Sequence, residues 1–90
     1  MLELGGNIKL EGFNEVEPAK LVVIKKIVGN HVRKLDSETS RVNLLHLVLD
    51  NSGKDISISG KLDLQGNVQE AKANDNNLFF ALNKVLKNLE

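Results

Sequence analysis

The sequence predicts an α+β domain: a two-layer βαβββα sandwich in which two helices cover one face of a four-stranded sheet. Three observations lead there. Apolar residues recur at helical spacing in two separated stretches, one following Pro18 and one closing the chain. Between Asp55 and Leu64 they alternate strictly, which marks a half-buried strand. Gln65-Gly66-Asn67 then reads as a hairpin turn. Ninety residues make one domain, spanning 1–90, with a thin core.

The elements follow in order. Gly5-Gly6 near the N-terminus reads as a flexible lead-in. In Ile8 to Gly12, Ile8 and Leu10 share one face and Lys9 and Glu11 the other, a short strand. Pro18 suits a first helical position, where its missing N–H would be an orphan anyway. Glu15 and Glu17 sit beside the positive end of that helix dipole. The helix runs from Ala19 to Leu35 with Leu21, Ile24, Val28, Val32 and Leu35 on one face. The β-branched run before Lys25, and Gly29, argue for a strand; Pro18 and the i, i+4 spacing decide for the helix.

Asp36 to Ser40 is a polar loop, and Arg41 to Leu49 a strand with apolar residues on both faces. Leu45, Leu47 and Leu49 take one face; Val42, Leu44 and Val48 take the other. Asn51-Ser52-Gly53 is a turn. In the next strand Ile56, Ile58, Leu62 and Leu64 face inward, with Gly60 in line. Val68 to Ala73 is a weaker strand whose Ala71 and Ala73 let a helix pack close. Asn74 to Asn77 offers oxygens to cap the last helix, which buries Leu78, Leu82, Val85, Leu86 and Leu89. A right-handed crossover is expected where the first helix joins two strands.

Composition narrows function. There is no cysteine, hence no disulfide, thiolate metal site or Cys nucleophile. His31 and His46 lie on different elements without a metal-binding motif, so both read as structural: His31 at the boundary of the buried helix face, His46 on a sheet face. Ser57 and Ser59 have no activating base nearby and read as solvated. No phosphate-binding glycine loop, targeting segment or membrane-length apolar run occurs. The expectation is a cytoplasmic protein that is not an enzyme, with no cofactor, metal, membrane or small-molecule substrate.

Charge is unevenly spread. Twelve Lys and Arg balance twelve Asp and Glu. Yet Pro18 to Leu35 carries five basic residues and no acid. Lys25, Lys26, Arg33 and Lys34 are expected to point away from the core, and Lys84 and Lys87 do so on the last helix. Cations on a rigid element suit nucleic-acid phosphates, although a solvated helix face would look the same. Phe80, one turn before Lys84, could stack on a base, although covering the sheet edge or standing as a lone surface apolar residue would look the same. A different reading starts from Leu45, Leu47 and Leu49. As an open apolar sheet face they would form a protein interface, making the chain a small interaction module or homodimer; as part of a central strand shielded by its neighbours they would not.

Two segments resemble a known family. Ile8-Lys9-Leu10-Glu11-Gly12-Phe13-Asn14, then Glu15-Val16-Glu17-Pro18-Ala19, is similar to the opening of the ribosome hibernation-promoting factors, the ribosome-associated translation inhibitors, with Glu17 where Thr is usual. The close resembles that family too, in Ala71-Lys72-Ala73-Asn74, Leu78-Phe79-Phe80-Ala81-Leu82-Asn83 and Lys87-Asn88-Leu89-Glu90. The resemblance implies a fold related to double-stranded RNA-binding domains. It implies a partner, the small ribosomal subunit, whose ribosomal RNA would be bound by Lys25, Lys26, Arg33, Lys34, Lys84 and Lys87. It implies a stress-linked role in translation regulation, ribosome hibernation.

Overall fold

In the computed structural model, residues 2–4, 7–14, 16–38, 42–51 and 53–89 are described. The strands are β1 (Leu2–Leu4), β2 (Ile8–Glu11), β3 (Val42–Asp50), β4 (Ile56–Leu64) and β5 (Asn67–Asp75); the helices are α1 (Pro18–Glu38) and α2 (Leu78–Asn88). They form one sheet in the order β1-β2-β3-β4-β5. Only β2 and β3 pair in parallel, joined through α1; the other neighbours are antiparallel.

The two-layer α+β expectation holds, with one amendment. The sheet has five strands and is mixed, not four, because Leu2–Leu4 pairs with β2. Three residues are too few to show a period, and so β1 leaves no pattern in the sequence. Gly5-Gly6, Glu15, Arg41 and Ser52 lie outside the described residues.

Both helices pack on one sheet face. Ile8, Leu10, Leu45, Leu47, Ile58 and Leu62 from the sheet meet Ile24, Val28, Val32, Leu35, Leu82, Val85, Leu86 and Leu89 from the helices in one core. Among the described residues no polar or charged side chain is buried. Gly60 sits beneath α2: a Cβ there would come 2.7 Å from Val85 Cγ1 and 2.8 Å from Leu89 Cδ1. The helix thus approaches β4 so closely that a side chain there would have to displace its neighbours.

The helix α1 continues to Glu38, beyond the expected end at Leu35. Asp36 belongs to its last turn, and its Oδ1 accepts the Val42 N–H at 2.7 Å, fastening the helix end to β3. An acidic residue opposes the dipole at that position, which is why the segment reads as loop from sequence. At the β4–β5 hairpin Leu64 faces Asn67 across two residues, Gln65 and Gly66, with φ of 51° and 94°. Positive φ at both positions gives the twist that two-residue hairpins need, and glycine adopts it without strain.

The leucine reading is overturned. Leu45 and Leu47 are fully buried (0% exposed), and Leu49 is half-buried against the same core. These leucines face the helices and form no open surface. A β-bulge between Val42 and Leu44 adds a residue to β3. It turns Val42 to the core side with Leu45, breaking the simple alternation. The open face of β3 therefore carries half-buried Leu44, His46 and Val48. Around them it is polar. Glu3, Lys9, His46, Lys61 and Glu70 form one row across all five strands.

Candidate nucleic-acid interface

The helices leave parallel strands, β2 and β5, and so run in the same direction side by side. An open groove lies between their C-terminal halves. Ile27, Asn30, His31 and Lys34 line it from α1, and Asn83, Leu86 and Lys87 from α2. The spacings are i, i+3, i+4 and i+7 on one helix and i, i+3 and i+4 on the other, so each set is one flank of its helix. Ile27 and Leu86 make an apolar floor; Asn30, Lys34, Asn83 and Lys87 are exposed on the rim. Half-buried His31 belongs to this groove, close to the boundary position expected.

Each expected cation has a distinct setting. Lys26 and Arg33 are exposed and lie within about 20° of one another around α1, forming an outward ridge. Among the described residues neither makes an ion pair. Lys34 and Lys87 face each other's helix across the groove. Lys25 is only half-exposed and stands about 180° from Lys34, on the far flank of α1. The four α1 cations therefore form no single flat surface, since Lys25 and Lys34 leave the helix on opposite flanks.

Lys84 is tethered. Its Nζ donates to Asp75 Oδ2 at 2.8 Å. That hydrogen bond, with the Asn77 N–H on Asp75 Oδ1 at 3.0 Å, holds the Asp75 carboxyl below its ordinary range. Beside it Asn77 caps α2, its Oδ1 accepting the N–H groups of Phe79 and Phe80 at 2.9 and 3.2 Å. Capping thus falls to Asn77, while Asn74 and Asp75 belong to β5. Phe80 is 61% exposed and, seven residues (two turns) before Lys87, lies on the same flank of α2 as Lys87.

This helical face offers cations, amide donors and one exposed ring: the groups that contact phosphates, sugars and bases. Asn30, His31 and Asn83 complete it without a motif that sequence reading could have found. On the opposite sheet face, His46 Nε2 is 3.4 Å from Glu11 Oε1. Among the described residues no three metal-ligating side chains cluster, and no helix is long and apolar enough to cross a membrane.

Neither a protein-family model nor a curated protein matches the sequence. Solved structures do match in shape. A ribosomal subunit interface protein from Coxiella burnetii superposes with a TM-score of 0.72 at 12% identity, covering 93% of this chain and 89% of that one. The N-terminal domain of Thermus thermophilus Protein Y gives 0.66 at 20% identity, covering 89% and 84%. Both are of hibernation-promoting-factor type.

The chain has the hibernation-factor fold.

At these identities the likeness is one of fold, and the quoted motifs explain why it is legible. Ile8 and Leu10 are buried strand positions, Pro18 opens α1, and Leu82 and Leu89 anchor α2. The motifs record the packing that builds this fold; the cations are carried separately, on its outer surface.

Proposed function

We propose that this chain is a non-catalytic, ribosome-associated factor of the cytoplasm. It binds RNA of the small ribosomal subunit through its helical face and restrains translation under stress. The observation that carries this reading is the combined placement of Lys26, Arg33, Lys34 and Lys87 on the helical face of a hibernation-factor fold. A neighbour of that fold is named as a ribosomal subunit interface protein. Phosphates sit along the ridge and groove, and Phe80 stacks on an unpaired base. Lys25 and Lys84 contribute less, one by its flank and the other by its bond to Asp75.

Co-sedimentation with purified small ribosomal subunits, at low and raised salt, tests this. Contacts to four phosphates give a slope of log K against log salt of about −3 to −4. Lys26→Glu with Arg33→Glu weakens binding while the domain stays folded; Lys84→Gln weakens it much less. Phe80→Ala costs ~1–3 kcal/mol of binding if it stacks on one base. A parent chain that fails to sediment at low salt removes the function. A double variant that binds like the parent removes this surface.

A further inference from the structure

The strand β5 forms an edge of the sheet. One side pairs with β4, and no described strand lies on the other. Edges are ordinarily guarded by short strands, prolines, bulges or charged side chains, and on β5 the charges are one of each sign, Glu70 and Lys72, besides Asp75 at its end. The opposite edge, β1, is guarded by its shortness, being three residues long. Nine-residue β5 has no proline, and its pairing from Leu64↔Asn67 to Ile56↔Asp75 runs without a register shift. It is a long, unbulged edge.

Its outward hydrogen-bonding groups can be assigned. In a two-residue hairpin the flanking residues, Leu64 and Asn67, exchange both main-chain hydrogen bonds. Alternation then turns Gln69, Ala71 and Ala73 toward β4 as well. The N–H and C=O groups of Val68, Glu70, Lys72 and Asn74 point out of the sheet.

We propose that this edge pairs, antiparallel, with the same edge of a second copy of the chain, giving a two-fold dimer with one continuous sheet. The axis passes Ala71, the midpoint of β5. That register alone uses the whole strand. It sets Glu70 opposite Lys72 of the second copy, and Lys72 opposite its Glu70. Val68 meets Asn74 in the same way, so all four outward-turned residues find main-chain partners. Ala71 meets its own copy at a non-hydrogen-bonded position, where backbones approach most closely and a small side chain fits. Slipping by one residue opposes inward-turned groups and swaps faces. Slipping by two sets Glu70 against Glu70, or Lys72 against Lys72. The edge is complementary to itself in one register. The inference does not rest on RNA binding, which uses the helical face.

Sedimentation velocity of the full chain over a wide concentration range is the test. A reversible monomer–dimer equilibrium is expected. Glu70→Lys and Lys72→Glu each place like charges opposite one another twice, and each weakens the dimer about tenfold or more. Both positions are exposed, and circular dichroism confirms that each variant is folded. Mixing the two variants restores association, because one chain then presents two cations at these positions and the other two carboxylates. The double exchange restores the homodimer. A chain monomeric at every concentration overturns the proposal. So does a dimer indifferent to both single reversals, or a mixture no tighter than its components.

Discussion

Gly60 shows how much of this fold turns on a single atom. A Cβ there would meet Val85 Cγ1, Leu89 Cδ1 and, at 3.0 Å, Leu47 Cδ2. Leu89 and Leu47 offer flexible ends, whereas Val85 is β-branched and stiff, so alanine already requires a shift and valine is not accommodated. Gly60→Val is expected to cost ~1–3 kcal/mol by overpacking, read as a lower urea midpoint. A second residue-scale prediction concerns Asp75. Its carboxyl is lowered by the Lys84 hydrogen bond and then by the Asn77 N–H. A depressed carboxyl stabilises the fold above the unfolded-state value, and that contribution is lost as pH falls through the folded-state value. Asp75→Asn is therefore less stable than the parent at neutral pH, and the gap closes in acid. Urea titrations of both chains from neutral pH into acid measure it; a gap independent of pH would assign Asp75 no electrostatic role. At the neighbouring cap, Asn77→Ala costs ~1 kcal/mol.

Among the elements, β3 separates what sequence can and cannot disclose. The helices were legible because their apolar faces repeat over several turns: every residue assigned to the α2 face is buried or packed against the core. The strand β4 was legible because its alternation is unbroken. In β3 both faces are apolar, so periodicity could not say which one meets the helices. The bulge after Val42 then broke the alternation at the start of the strand. Only the register with β2 and β4 decides it, and register is a long-range property. For the same reason the groove was half visible. Lys34 and Lys87 could be noted as outward cations, whereas their meeting across one groove, with Asn30 and Asn83, depends on two helices being parallel. The decided face makes a prediction. Leu47→Ala removes a fully buried side chain and costs ~2–5 kcal/mol. Val48→Ala, one residue along on the open face, costs much less. Equal costs in thermal or urea unfolding would reverse the faces.

Across the whole molecule, stability and charge occupy different places. The core is apolar throughout, and among the described residues no charged side chain is buried. The cations assigned to RNA stand on the helical surface, while the open face of the sheet carries both acids and bases. Exposed ion pairs contribute little, typically ~0.2–1 kcal/mol, and salt screens them. Raising salt fourfold should therefore change unfolding free energy by less than about 1 kcal/mol. Phosphate binding responds differently, because each neutralised phosphate releases counterions on association. With a slope of about −3 to −4, the same fourfold change lowers affinity roughly 100-fold. Measured side by side, urea midpoints should stay nearly level while binding to small subunits collapses. A stability that fell in parallel would mean that salt acts on the fold, and the loss of binding would then say nothing of Lys26, Arg33, Lys34 or Lys87. A separation of the two responses locates the salt-sensitive term in the interface, where charge-reversal variants can divide it among those four side chains.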